Sequence, residues 1–309
     1  MGNMAILFPG QGAQKVGMGK DFYDAVPAAR EVYERANAVL DVDIAKVCFD
    51  GPEEELNDTA VCQVAVLVTS LAALEAMRAK CGEDAAKADM AAGLSLGEYT
   101  ALAYAGAFQF EDAVRLVRQR GIFMKEAGEI NPGTMLCLIG MARDDVMEVI
   151  AATGQDRGTL VAANFNSPGQ IVLSGTAEAI AAAAEIAKER NAKRVIPLTV
   201  SGAFHSPLMD PAAEKLKSEL AGIEIKDPAV PVVSNVAAKY VRSADEIRDL
   251  LALQLTSSVL WEDSMRFMIS EGMTEAMEVG PGRVLAGLLA KTDRSVTVRN
   301  IGELADLDK

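Results

Sequence analysis

The pentapeptide Gly93-Leu94-Ser95-Leu96-Gly97 narrows the folds open to this chain more than any other segment. Its G-x-S-x-G pattern is that of a nucleophile elbow, a tight strand-to-helix turn that lifts a serine hydroxyl out of the backbone. The glycines on either side give the steric room such a turn needs. The flanks agree: Met90-Ala91-Ala92 reads as a short strand, and 98–104 continues as helix. A helix that starts just after the serine places free backbone N–H groups and a positive dipole end beside the hydroxyl. Such donors can hold the oxyanion of a tetrahedral intermediate. A strand-to-helix elbow belongs in an α/β protein. The Ala-rich helical stretches and the 5% of aromatic residues point the same way.

A serine nucleophile needs a base, and the chain has one histidine, His205. Near-neutral acid–base work falls most often to imidazole. His205 sits in a loop just ahead of Ser206-Pro207, where Ser as N-cap and Pro at the first helical position predict a helix start. No aspartate is evident nearby to orient the ring, and a backbone carbonyl serves equally well. On the helix predicted over 111–127, Phe110, Ala113, Val114, Val117, Gly121 and Met124 form an apolar stripe. Arg120 falls on that stripe. An inward arginine needs a partner, either a bound carboxylate held in bidentate fashion or an internal Asp or Glu. The loop Gly10-Gln11-Gly12 follows an apolar strand at 5–8. It has neither a P-loop lysine nor dinucleotide spacing, and it suits the oxyanion hole that Ser95 otherwise lacks.

Helical patterns run over 28–40, 63–80 and 111–127. The texture then changes to a strand at 134–141, a helix at 144–152, strands at 160–164 and 170–174, a helix at 177–190 and a strand at 193–198. This βαββαβ order is that of a ferredoxin-like subdomain. The expected architecture is therefore an α/β-hydrolase-like core with a parallel sheet, made of 1–130 and 200–309, and an inserted ferredoxin-like subdomain at 131–199. Beyond it a strand is predicted at 230–236, helices at 244–255 and 262–271, and a last core strand at 276–279. Gly280-Pro281-Gly282 then opens a final helix. The polar 291–309 segment is expected to fray.

The net charge of −14 argues against nucleic acid or an anionic membrane as the main partner. No run reaching about 18 apolar residues is apparent, so no membrane span is expected, and residues 1–10 carry no leader pattern. Cys48, Cys62, Cys81 and Cys137 show no C-x-x-C spacing, and with one histidine a metal site is not expected. They read as buried, reduced thiols, and the location expected from these absences is cytoplasmic.

Several ordered segments together give a more specific signal. They are Phe8-Pro9-Gly10-Gln11-Gly12-Ala13-Gln14, Ser95-Leu96-Gly97-Glu98-Tyr99, Arg120-Gly121, Asn164-Phe165-Asn166-Ser167-Pro168-Gly169-Gln170, Ala203-Phe204-His205-Ser206, Pro231-Val232-Val233-Ser234-Asn235-Val236 and Glu278-Val279-Gly280-Pro281-Gly282. With them the chain resembles, over nearly its whole length, the malonyl-CoA:acyl carrier protein transacylase family of fatty-acid synthesis. The resemblance implies that Ser95 takes the malonyl group as an ester and that His205 acts as general base and then general acid. It implies an oxyanion hole from the N–H groups of Gln11 and Leu96, Arg120 on the malonyl carboxylate, and the Gln254 backbone carbonyl orienting His205. Phe204 matches malonyl-selective members, where a bulky ring crowds an α-methyl group; simple loop packing is the alternative. The implied cycle is ping-pong, with malonyl-CoA and acyl carrier protein as partners, no metal or redox cofactor, and a monomer. One departure stands out. Many members have His before the nucleophile, and here Leu94 stands there. Three other functions compete: a serine hydrolase such as a thioesterase, a discrete acyltransferase serving a polyketide synthase, and a non-catalytic binding module.

Overall fold

The computed structural model describes residues 3–308; Met1 and Gly2, the first two residues of the leader reading, and Lys309, the last of the segment expected to fray, lie outside the described residues. Along the chain run β1 (Asn3–Phe8), α1 (Lys20–Ala25), α2 (Pro27–Val39), α3 (Ile44–Asp50), α4 (Glu53–Asn57), α5 (Thr59–Cys81), β2 (Met90–Gly93), α6 (Leu96–Tyr104) and α7 (Phe110–Ile130). Then come β3 (Thr134–Ile139), α8 (Arg143–Thr153), β4 (Leu160–Ser167), β5 (Gln170–Gly175), α9 (Ala177–Glu189) and β6 (Arg194–Leu198). The chain finishes with α10 (Asp210–Gly222), β7 (Val232–Val233), β8 (Tyr240–Val241), α11 (Ala244–Gln254), α12 (Trp261–Ser270), β9 (Met273–Val279), α13 (Val284–Thr292) and β10 (Thr297–Ile301).

The larger sheet has the order β10-β9-β1-β2-β7-β8 and is parallel except where β8 pairs with β7. Successive residues of β1 point to opposite faces. Ile6 and Phe8 pack with residues of α2, α5, α6 and α7, while Ala5 and Leu7 pack with Trp261 and Met265 of α12 and Leu285 and Leu289 of α13. Both faces are covered, which is why this strand reads as an unbroken apolar run. Because β1 and β2 are parallel neighbours, with Phe8 opposite Gly93, the loops that follow them emerge at one edge of the sheet. The Gln11 loop and the Ser95 elbow are those loops. In open α/β sheets that edge is where ligands bind.

The smaller sheet is antiparallel, in the order β4-β5-β3-β6. Leu136, Leu138, Ile171 and Leu173 face Val146, Val149, Ile180 and Ala183 of α8 and α9, while Met135 and Val172 face the main core. Backbone hydrogen bonds from Phe165 N–H to Val259 O (2.9 Å) and from Val259 N–H to Ala163 O (2.8 Å) stitch β4 to the segment before α12.

Four sequence expectations need correction. α5 is long and apolar enough to cross a bilayer by length and composition, but it is almost wholly buried as the central core helix. The strand expected over 230–236 has only two residues, because the Ser234 hydroxyl accepts from Val236 N–H and Ala237 N–H and turns the chain. The segment expected to fray instead carries β10, which pairs in parallel with β9, so the strand at 276–279 is not the last. An Asp306 carboxylate accepting from Gly302 N–H and Glu303 N–H closes the turn beyond it. Finally, Cys81 is exposed, while Cys48, Cys62 and Cys137 are buried.

Ile301 is fully buried. Ile301→Ala is expected to lower unfolding stability by about 2–4 kcal/mol in urea melts. An unchanged melt would mean that this end of the chain does frays as its polarity suggests.

Candidate active site

Two close approaches build the elbow. A Cβ on Gly93 would collide with the backbone of Gly97, and one on Gly97 would collide with the Phe8 carbonyl, so helix α6 starts directly against β1 and β2. Ser95 is left at φ 52°, a backbone region unfavourable for a residue with a side chain. The Asn235 side chain clamps the turn: its Oδ1 accepts from Ser95 N–H at 2.6 Å and its Nδ2 donates to Gly93 O at 2.8 Å.

His205 Nε2 lies 2.9 Å from Ser95 Oγ, and its Nδ1 lies 2.9 Å from the backbone oxygen of Gln254, the last residue of α11. A carbonyl can only accept, so Nδ1 carries the proton and the Nε2 lone pair faces the serine hydroxyl. His205 also has a positive φ, 56°. The helix expected after it begins as a 3₁₀ turn at Pro207–Met209, with the Ser206 hydroxyl accepting from Leu208 N–H at 3.3 Å.

Arg120 is 1% exposed. Its Nη2 donates to Ser95 Oγ at 3.0 Å and to Gln254 Oε1 at 3.0 Å, its Nη1 donates to Gln63 Oε1 of α5, and the guanidinium lies 5.1 Å from the Tyr99 ring centre. Of the two partners the sequence allows, an internal carboxylate is not the one present: no ion pair to Arg120 occurs among the described residues. Amides and a hydroxyl solvate the charge instead.

Ser95, His205, Arg120, Gln11, Leu94, Leu96 and Phe204 line one cavity of about 170 Å³, closed on the far side by Met135, Asn164, Asn166, Val172, Leu198 and Val200 around the smaller sheet. The backbone N–H groups of Gln11 and Leu96 donate to nothing among the described residues. Phe204 is 5% exposed; its ring belongs both to the core and to the cavity wall. No grouping of three or more metal-ligating side chains occurs among the described residues.

Sequence reasoning missed two residues. Asn235 lies 140 residues from the serine it clamps. Glu98, 2% exposed, accepts from Asn235 N–H at 3.1 Å and from Gln254 Nε2 at 2.6 Å. Two signals bear on Glu98: its place in the Ser95-Leu96-Gly97-Glu98-Tyr99 segment, and a carboxylate in the first turn of an otherwise uncharged helix start.

Burial first, then the Arg120 charge, lowers the His205 pKa to about 4, whereas burial raises that of Glu98 to about 7. For His205 the unfolded chain binds more protons between its ordinary pKa near 6.5 and about 4. Its contribution to stability is full above that range and is lost as pH falls through it. Glu98 acts in the opposite sense, its contribution being lost as pH rises from its ordinary value of 4.5 through about 7. The two gradients oppose one another where they overlap, so a residue-specific readout is required. In an NMR titration the sole imidazole is expected to stay neutral well below pH 6, with a midpoint near 4. A midpoint near 6.5 would contradict the buried geometry.

The acyl transferase domain family model matches residues 6–303. A malonyl CoA-acyl carrier protein transacylase of Bacillus subtilis is 46% identical over 294 residues, covering 95% of this chain and 92% of that protein. The crystal structure of an acyl-carrier-protein S-malonyltransferase from Burkholderia pseudomallei superposes with TM-score 0.95 at 40% identity, covering 99% of this chain and 98% of the other. A malonyl-transacylase solved in complex with a type II PKS acyl-carrier protein gives TM-score 0.94 at 38% identity, covering 99% and 98%.

Proposed function

This chain belongs to the acyl transferase family, among the malonyl-CoA:acyl carrier protein transacylases, and from that premise we propose that it moves malonyl from coenzyme A to the phosphopantetheine thiol of an acyl carrier protein for fatty-acid synthesis. Ser95 Oγ attacks the thioester carbonyl while His205 Nε2 takes its proton. The Gln11 and Leu96 N–H groups receive the oxyanion. Collapse expels the coenzyme A thiolate, which the imidazolium protonates, leaving a malonyl-serine ester. The carrier thiol then attacks that ester with His205 again as base, a ping-pong cycle. The chemistry calls on no metal or redox cofactor. We place the protein in the cytoplasm as a monomer.

One observation carries the malonyl reading: a buried guanidinium 3.0 Å from the nucleophile whose hydrogen-bond partners are all neutral. A malonyl group on Ser95 ends in a free carboxylate, the anion this arrangement lacks. A serine hydrolase has no use for that charge. The Phe204 ring in the cavity wall narrows the room for an α-methyl branch. With Leu94 on the same wall, no second imidazole stands beside the serine. The sheet order β4-β5-β3-β6 supports reading 131–199 as a ferredoxin-like subdomain, set into an α/β-hydrolase-like core of 1–130 and 200–309. The structural relative paired with a type II PKS carrier keeps polyketide service as a second reading.

Incubation with malonyl-CoA is expected to add one malonyl mass to the intact protein, and Ser95→Ala to abolish it. A wild type that stays unlabelled while releasing malonate would favour the hydrolase. Purified fatty-acid and polyketide carrier proteins, offered separately, distinguish the two services by which one accepts the label. Arg120→Ala is expected to lower kcat/KM for malonyl-CoA by roughly 10- to 100-fold, the worth of charged hydrogen bonds, with acetyl-CoA affected less. Unchanged malonyl kinetics would remove the carboxylate from this residue.

A further inference from the structure

The proposed mechanism uses Ser95, His205 and Arg120, yet a carboxylate buried beside them, Glu98, takes no part in it. Glu98 lies in the first turn of α6, and a single carboxylate oxygen, Oε2, accepts two hydrogen bonds from two distant segments. One comes from the Asn235 N–H at 3.1 Å, in the loop after β7, and the other from Gln254 Nε2 at 2.6 Å, at the end of α11. Each partner has a second duty at the reacting pair. The Asn235 side chain grips Ser95 N–H, and the Gln254 backbone oxygen receives the His205 imidazole. The Gln254 side chain also donates to Ser95 O at 3.1 Å and accepts from Arg120.

We infer that Glu98 is the positioning residue of this site: its Oε2 fixes the distance between the anchor of the nucleophile and the anchor of the base. The inference rests on the proposed function for its kinetic consequence only. Glu98 touches no reacting atom and acts through Asn235 and Gln254. Satisfied buried polar groups hold one geometry; the side-chain oxygen and nitrogen of both Asn235 and Gln254 are hydrogen-bonded, and a catalytic pair displaced by about 1 Å can lose roughly 10²-fold in rate. A different role, as counter-charge to Arg120, makes the opposite demand on substitutions. Positioning requires the acceptor atom in its place, whereas charge compensation requires the negative charge.

Two variants of the 309-residue chain separate these roles. Glu98→Gln keeps an acceptor oxygen at the same reach and removes the charge; Glu98→Asp keeps the charge and withdraws the oxygen by one methylene. His205 is the only histidine, so 15N-histidine labelling gives one imidazole spectrum, whose Nδ1–H resonance reports its hydrogen bond to Gln254 without any substrate. Glu98→Gln is expected to keep that resonance and a burst rate of Ser95 acylation within about three-fold of wild type. Glu98→Asp is expected to displace the resonance and slow the burst by roughly 10²-fold, with KM for malonyl-CoA within about two-fold. An unmoved resonance and rate in Glu98→Asp would overturn the inference, and so would a Glu98→Gln variant as impaired as Glu98→Asp. If Glu98→Asp does not fold, Gln254→Met decides. It removes the side-chain link and keeps the backbone carbonyl, and a resonance left in place would overturn the inference. Should the wild type fail to take malonyl-CoA at all, the proposed function falls and the resonance still decides the positioning.

Discussion

A full positive charge sits at the centre of this molecule with only neutral groups hydrogen-bonded to it. Moving a guanidinium out of water costs several kcal/mol unless its donors are met. Here Gln63, Gln254 and Ser95 meet Nη1 and Nη2, Nε is left without a hydrogen-bond partner among the described residues, and the guanidinium carbon lies over the Tyr99 ring. The arrangement leaves the charge uncancelled by any ion pair while keeping it inside. Its field reaches the imidazole, where it adds to burial in favouring the neutral base, and it bears on the serine oxygen directly. The electrostatics of the cleft follow from that choice of partners.

The sheet makes such a meeting possible. Parallel neighbours deliver their following loops to one edge. The Gln11 loop after β1, the elbow after β2 and the Asn235 turn after β7 therefore arrive together, although they are far apart in sequence. The antiparallel sheet closes the opposite wall with Met135, Asn164 and Val172. The cleft lies between a rigid parallel platform and a smaller unit that belongs to the middle of the chain.

Much of this was legible in the residues. The elbow, the inward arginine and the lone histidine each carry a local signature, and the apolar run of β1 announces a doubly covered strand. What was not legible depends on contacts across long separations. Nothing near Asn235 says that its amide will straddle a turn 140 residues away. Two of the three partners of Arg120 are glutamine amides, and a lone glutamine on a helix has no periodic signal that marks it as inward. β10 looked frayed because its outward residues are polar; its order comes from pairing with β9, and only one edge of it is covered. α5 shows no unbroken apolar run, because Gln63, Thr69, Ser70 and Glu75 interrupt it, yet in aggregate it is apolar enough for a span.

Ser95 and His205 are two of the four non-glycine residues, among those described, held at positive φ. Such a backbone costs on the order of 1–3 kcal/mol per residue. The natural remedy at either position is glycine, which would relax the turn and delete the hydroxyl or the imidazole in the same stroke. Selection for thermal robustness and selection for the proposed turnover therefore pull these two codons in opposite directions. Any gain in robustness has to be found elsewhere, in packing or in the strapping of the elbow, and this serine–histidine pair stays as the fold's standing point of tension.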